Sequence, residues 1–213
     1  MKKRRKQKKY LHFLLLVVLI IAGIAVLLKL FKPDHTRSEG SITLITSDGT
    51  KTDILLDNNS EEVKISTASA NHNEPFSRGD FIVWIEEQQN KSEKYVVRYH
   101  VPTNTTYYIT NFGVAQNPKV NTQGQVVWQQ WNTTTEIWQI VFFDGYNTAV
   151  LTSDQQNALN PDIAGTRIIY SKKNQQGIWQ AIEYSLTTKE TVTVSEGTEA
   201  KHPFFYGTEL FFL

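Results

Sequence analysis

The chain has 213 residues, no cysteine, and a net charge of +1 from 22 Lys and Arg against 21 Asp and Glu. Without cysteine there can be no disulfide, no Cys-based metal site and no lipid-modified cysteine. The charges are segregated, because residues 1–33 carry nine Lys and Arg and no acid, whereas residues 34–213 carry 13 basic and 21 acidic side chains, a net charge of −8. An acidic domain repels phosphate backbones, so no nucleic-acid partner is expected.

The first predicted element is a membrane anchor. Residues 1–9 form a basic segment, and residues 10–31 predict a transmembrane helix, of which 11–28 are all apolar or Gly except His12. Such an apolar run spans ~27 Å as a helix, which matches the hydrocarbon core of a bilayer. The basic segment is expected to stay in the cytoplasm, which predicts a single-pass protein of the cytoplasmic membrane with its C-terminal domain outside. A cleaved signal peptide is the alternative, but the only small-x-small site, at 23–25, lies inside the apolar run.

A short tether is predicted at residues 32–40, and residues 41–213 carry a repeat. Proline recurs at spacings of 43, 43 and 42 residues, at Pro75, Pro118, Pro161 and Pro203. Each Pro is followed by an apolar run that ends in an aromatic residue, namely Trp84, Trp128, Tyr170 and Phe212. In the complete units an alternating segment, a polar turn and another short β-prone piece come next. A period of four short strands is typical of a β-propeller blade, whose faces are buried by its neighbours.

The second unit reads NPKVNTQGQVVWQQ…EIWQIVFFDGYNTAVLTS, and the third reads NPDIAGTRIIYS…GIWQAIEYSLTTKETVTVS. These segments resemble the repeat of the TolB-like, or PD40 (WD40-like), propellers, which also occurs in propellers of the prolyl oligopeptidase class. The resemblance extends over residues 41–213, although the second Pro-Asp-Gly of the family pattern is missing. It implies an all-β propeller. Because TolB-like propellers serve as docking platforms in the bacterial envelope, it also implies a protein-interaction role.

Partial units lie at both ends of the repeat region, around three complete units. Joining the two predicts a small all-β propeller of four blades of ~43 residues, with the last blade built from both chain ends and one transmembrane helix before it. One strand is left over, because residues 41–46 and residues 209–213 compete for the same position in that blade. The alternative is an incomplete ring that a partner or a second copy completes.

The candidate ligand-binding site consists of the polar residues directly before the repeated prolines, since such positions gather near one mouth of a propeller channel. They are Glu74, Asn117, Asn160 and His202. Their side chains suit a cation or a polar ligand, and turn capping is the alternative.

Tryptophans provide the other candidates. Trp131 has no counterpart in the other units, so an exposed Trp131 would be a binding residue, and packing between blades is the alternative. Trp84 and Trp128 hold the repeated aromatic position and are expected in the core. Trp138 and Trp179 match one another and are interpreted as structural.

No catalytic signature is present, so the sequence predicts no enzyme, no catalytic residue, no cofactor and no metal. The leading hypothesis is a membrane-anchored extracytoplasmic propeller, held in the lipid bilayer by residues 10–31, that docks a protein partner in the cell envelope. A glycan- or peptidoglycan-binding module that uses Trp131 and nearby Gln side chains is the second hypothesis. A metal-dependent enzyme with Glu74 and His202 at the channel mouth is the third.

Overall fold

In the computed structural model, the described residues form five antiparallel β-sheets that follow one another along the chain. The structure describes residues 42–46, 52–58, 61–66, 70–88, 94–110, 113–152, 156–195 and 199–212. These residues all belong to one compact unit, Glu39–Leu213. Within them, no helix is both long enough and apolar enough to cross a membrane. The predicted basic segment, transmembrane helix and tether lie outside the described residues, so the anchor stays a prediction.

The sheets differ in strand number. The first sheet has three strands, β1 (Ile42–Thr46), β2 (Thr52–Asn58) and β3 (Glu61–Lys64). The second has β4 (Ala70–Arg78), β5 (Phe81–Gln88), β6 (Lys94–His100) and β7 (Thr105–Tyr108), with a 3-10 turn at Val101–Thr103 between the last two. The third has β8 (Ala115–Val120), β9 (Val126–Asn132), β10 (Ile137–Phe143) and β11 (Thr148–Val150). The fourth has β12 (Ala158–Ala164), β13 (Arg167–Lys173), β14 (Trp179–Ser185) and β15 (Thr191–Thr193), and the fifth has β16 (Phe204–Tyr206) and β17 (Glu209–Phe211).

Within each sheet, strands that are consecutive in the chain pair as neighbours. The second, third and fourth sheets are therefore complete four-stranded blades, which confirms the three predicted units. Local sequence explains the tight turns between their strands. In the turn from β9 to β10, Oδ1 of Asn132 accepts hydrogen bonds from the backbone N–H groups of Thr134 and Thr135, at 2.9 and 3.2 Å. Asparagine favours turns because its side chain can replace a backbone acceptor in this way.

The repeated Pro lies at a β-bulge in the innermost strand of each complete blade. The pairing register shifts between Asn73 and Phe76 in β4, and equivalent shifts interrupt β8 and β12. Proline cannot donate a ladder hydrogen bond, so a bulge is where a strand tolerates it. The residue before each Pro is in the left-handed region, with φ of 53°, 50°, 52° and 49° at Glu74, Asn117, Asn160 and His202.

Apolar clusters between consecutive sheets form the core. In β9, Val126 and Trp128 pack toward the second sheet while Val127 packs toward the fourth, since successive strand residues point to opposite faces. The repeated aromatic position is buried in the three complete blades, where Trp84 and Trp128 are each 1% exposed, as expected from the sequence. Phe212, at the same position in the fifth sheet, is instead exposed.

The two ends of the domain do not share a blade among the described residues. Strand β17 pairs with β16, and β2 pairs with β1 and β3. The prediction of a last blade built from both chain ends is therefore corrected, because β1 occupies the edge of β2 that β17 would need. The strand that was left over in the sequence, 42–46, is the one that takes this position.

Candidate functional site

Hydrogen bonds join three of the four residues that precede the repeated prolines. The backbone N–H of Asn117 donates to Oε2 of Glu74, and Nδ2 of Asn117 donates to Oδ1 of Asn160 at 3.3 Å. The bulges bring these residues together, because each lies at the same level of an innermost strand. We call Glu74, Asn117 and Asn160 the inner polar ring.

Gln129, on β9, ties this ring to the body of the third blade. Its Oε1 accepts hydrogen bonds from Nδ2 of Asn117 at 3.1 Å and from the backbone N–H of Asn160 at 2.9 Å. Its Nε2 donates to Oε1 of Gln116 at 3.0 Å. Gln129 is buried, so these bonds satisfy an amide that would otherwise be costly to bury. From the sequence, Gln129 belongs only to the Gln side chains near Trp131, and its link to the ring was not predicted; the signal for that link is a polar residue directly after the apolar run of a central strand.

His202 shares the backbone conformation of the ring, but its side chain is exposed. Among the described residues there is no group of three or more His, Asp or Glu side chains placed to hold a metal ion. Much of the hydrogen-bonding capacity of Asn117 and Asn160 is used within the protein. Ligand binding by Glu74, Asn117, Asn160 and His202 therefore stays a prediction. The contacts show that the inner polar ring holds innermost strands together.

Charged side chains lie on the same innermost strands. Nη1 of Arg78 is 3.6 Å from Oδ1 of Asp162, and it also donates to the carbonyl oxygen of Ile163. Nζ of Lys119 lies 4.3 Å from the centroid of the Phe76 ring. Burial lowers the pKa of the Lys119 ammonium, although the Asp162 carboxylate opposes that shift. Contacts from β4 and β8 thus converge on β12, and opposite charges compensate one another there.

The predicted binding residue Trp131 is only partly exposed. It pairs across the strands with Trp138, and the two rings meet edge to face with centroids 5.4 Å apart. Trp131 also lines a cleft of ≈ 490 Å³ with Asn132 and Gln139. Nδ2 of Asn132 donates to Oε1 of Gln139 at 3.0 Å, so this amide pair is fixed. Trp131 therefore both contacts Trp138 and lines this cleft.

Trp138 and Trp179, interpreted from the sequence as structural, line a separate groove between the third and fourth blades. This Trp138–Trp179 groove has a volume of ≈ 400 Å³, and its walls include Gln156, Asn157 and Lys173. Both tryptophans lie near the start of an equivalent strand, β10 and β14, where the strand emerges from its turn. That position at the strand end is the sequence signal that distinguishes them from the core residues Trp84 and Trp128.

The fifth sheet carries an exposed aromatic face. Phe204 pairs with Phe211 across β16 and β17, and their rings stack with centroids 5.7 Å apart. Tyr206 follows on the same side, because strand residues two apart share a face. Phe205 and Leu210 point the other way and pack against the fourth sheet. We call Phe204, Tyr206 and Phe211 the aromatic face.

No protein-family model and no curated protein matches the chain. Solved structures do match. TolB from Acinetobacter baumannii aligns with a TM-score of 0.57 at 11% identity, over 79% of this chain and 44% of its own. The chain has a TolB-like β-propeller fold. At this identity the likeness concerns the fold alone.

Two further solved structures share this fold. Pyrococcus horikoshii acylaminoacyl peptidase aligns with a TM-score of 0.58 at 13% identity, over 75% of this chain and 26% of its own. The β-propeller domain of the trilobed protease from Pyrococcus furiosus, which has an open velcro topology, aligns with a TM-score of 0.50 at 14% identity, over 58% of this chain and 41% of its own. The chain spans less than half the length of all three structures.

The prediction that the protein is not an enzyme is corrected by this comparison. Of the three structures described above, one is a peptidase and another is the propeller domain of a protease. The prediction was based on the missing catalytic motifs in the sequence. Because this propeller fold also occurs as a part of enzymes, the missing catalytic motifs do not show that the protein lacks enzymatic activity.

Proposed function

We propose that this protein is a single-pass membrane protein whose propeller lies outside the cytoplasm and docks a partner protein in the cell envelope. The anchor and its orientation are inferred from the basic segment 1–9 and the apolar segment 10–31. The TolB-like fold supports a propeller that acts through its surfaces, and the aromatic face of the fifth sheet is the surface that we assign to the partner.

The exposure of Phe211 is the main observation that supports this proposal. By its place in the repeat, Phe211 corresponds to Val83, Val127 and Ile169, each of which is fully buried against the following sheet. Phe211 is 43% exposed and its stacking partner Phe204 is 40% exposed. The aromatic face therefore has the position and the chemistry of a sheet-packing surface but is open in the described structure. Exposed aromatic side chains of this kind often dominate the energy of a protein interface.

In-cell crosslinking tests the docking surface. A photoreactive amino acid at Phe211 is expected to capture a protein partner, whereas the same group at Tyr146, which is 89% exposed on a turn of the third blade, should capture much less. The double substitution Phe204→Ser with Phe211→Ser should weaken partner recovery by about tenfold or more. The free energy of unfolding of this double variant should change little, because both side chains are already partly exposed to water in the wild-type protein.

Two outcomes would contradict the docking proposal. Crosslinks from Phe211 to the first sheet of the same chain would mean that the ring closes on itself in the cell. Crosslinks to a second copy alone would mean self-association. The membrane orientation has a separate test, in which protease added to spheroplasts should digest residues 41–213 and leave the basic segment intact.

A further inference from the structure

A second surface, between the third and fourth blades, has the construction of a small-ligand site. The Trp138–Trp179 groove continues into a neighbouring cleft of ≈ 520 Å³, and both share Gln156, Lys173 and Asn174. Ligand sites in proteins are usually clefts of about 300–1,000 Å³ with aromatic walls and a few polar groups. The third blade, the fourth blade and the segment between them all contribute to this groove.

The walls of the groove are held by hydrogen bonds and ring contacts. The backbone N–H of Trp138 donates to Oδ1 of Asn157 at 2.8 Å, which joins β10 to the segment before β12. The Trp138 ring also meets the Trp131 ring edge to face. In the turn from β13 to β14, Oδ1 of Asn174 accepts hydrogen bonds from the N–H groups of Gln176 and Ile178, both at 3.0 Å. A preformed wall lowers the cost of ordering side chains when a ligand binds.

Lys173 adds a positive charge beside one of the two rings. Its Nζ lies 5.1 Å from the centroid of the Trp179 ring, within the range of a cation–π contact. No Asp or Glu is among the described residues that line the groove or the cleft next to it, although residues 34–213 carry a net charge of −8. The lining therefore offers indole rings, amides, hydroxyl groups and ammonium groups.

This combination of side chains suits a carbohydrate ligand. Indole rings present flat apolar surfaces to the C–H faces of a sugar, while primary amides both donate and accept hydrogen bonds, as sugar hydroxyls do. A hydrophobic peptide or a lipid chain would leave the amides without partners, which is costly when they are covered. A ligand with many positive charges would be repelled by Lys173 and its neighbour Lys172.

We infer that the Trp138–Trp179 groove binds a linear oligosaccharide, with sugar rings placed against Trp138 and Trp179 and their hydroxyl or N-acetyl groups directed to Gln156 and Asn174. This function goes beyond docking of a protein, and it uses a different surface from the aromatic face. A propeller with both surfaces would connect an envelope glycan with a protein partner.

Calorimetric titration of the full-length protein in lipid nanodiscs tests this inference. The probes are chitohexaose, cellohexaose and glycan strands released from purified peptidoglycan. At least one of them should bind, and Trp138→Ala or Trp179→Ala should weaken that binding by about tenfold or more. Tyr146→Ala, on an exposed turn of the third blade outside the groove lining, is the matched control and should leave the affinity unchanged.

Thermal unfolding of each variant separates lost binding from lost folding. If an alanine variant unfolds early, Trp138→Phe and Trp179→Phe replace it, since a smaller ring keeps the packing but offers less stacking area. The inference is overturned if no probe binds the wild-type protein, or if binding survives when Trp138→Ala and Trp179→Ala are combined in one variant. None of these results depends on the crosslinking from Phe211, so the two proposals can fail separately.

Discussion

The backbone N–H of Phe205 donates a hydrogen bond to Oδ2 of Asp162 at 2.8 Å, across 43 residues of sequence. Asp162 is on β12 and Phe205 on β16, so the bond joins the innermost strands of the fourth and fifth sheets. The same carboxylate lies 3.6 Å from Nη1 of Arg78 in the second sheet. One buried side chain therefore connects three of the five sheets at the centre of the propeller.

Replacing Asp162 should destabilise the domain more than its size suggests. Asp162→Ala leaves the Phe205 N–H without its acceptor and the Arg78 guanidinium without its counter-charge. The free energy of unfolding should fall by about 2–4 kcal/mol, at the lower end if water reaches the partly exposed Arg78. Urea unfolding measures this loss. Asp162→Asn is the control, because its Oδ1 can still accept from Phe205, so a loss as large as that of alanine would contradict the role of the hydrogen bond.

The three complete blades could be predicted from the sequence because each combines several independent signals. Pro118, for example, comes at the correct spacing, precedes an apolar run that ends in Trp128, and is followed by alternating and turn segments. The ends could not be predicted, since 42–46 and 209–211 both have strand-forming sequences that suit the same edge. Only the three-dimensional path of the chain decides that β1 pairs with β2.

The candidate site was predicted less completely than the fold. The common backbone position of Glu74, Asn117 and Asn160 follows from their place before Pro, but their link to Gln129 depends on which face of β9 is covered. Trp138 and Trp179 were interpreted as structural because they match in the repeat. Repetition shows that two residues have equivalent positions, but it does not show whether those positions are buried.

Gly124 allows close contact between the second and third blades. Its φ is +75°, and a Cβ atom there would lie 2.6 Å from Cζ of Phe81. Its carbonyl oxygen accepts a hydrogen bond from Nη1 of Arg98 at 2.6 Å. Gly124→Ala should therefore lower the free energy of unfolding by the cost of a left-handed alanine, about 1–2 kcal/mol, and by a further ~1–3 kcal/mol for overpacking.

Gly165→Ala is the matched control for Gly124→Ala. Gly165 also has a positive φ, +55°, but a Cβ there would meet nothing within 4 Å among the described residues. Gly165→Ala should therefore lower the free energy of unfolding only by the cost of a left-handed alanine. The difference in unfolding free energy between the two variants, measured in urea, isolates the clash with Phe81. Equal losses would show that the two blades separate easily at this point.

Tyr170 should make the domain sensitive to alkaline pH. Burial, with a smaller contribution from Tyr184, raises the pKa of its phenol from 10.0 to about 12. A raised pKa means that the folded state keeps its proton more strongly than the unfolded state. The stabilising effect is therefore complete below pH 10 and is lost as the pH rises from 10 toward 12. Unfolding free energies measured across this range should fall less steeply in Tyr170→Phe, which has no phenol to ionise, and identical slopes would contradict the assignment.

Deleting residues 208–213 distinguishes a stack of sheets from a closed ring. The deletion removes β17, the carbonyl oxygen of Thr208 that accepts from Nη1 of Arg167 at 3.1 Å, and Leu210 of the cluster between the fourth and fifth sheets. In a stack, each sheet depends mainly on its neighbours, so the loss should reach the fourth sheet and stop there. Hydrogen exchange measured by mass spectrometry should show strong protection of β5 and β9 in the truncated protein. Phe211→Ser, which keeps the β17 backbone, is the control and should leave even the fifth sheet paired. Loss of protection throughout the domain after the deletion would mean that β17 closes a ring through the first sheet, which is the arrangement that the sequence alone predicts.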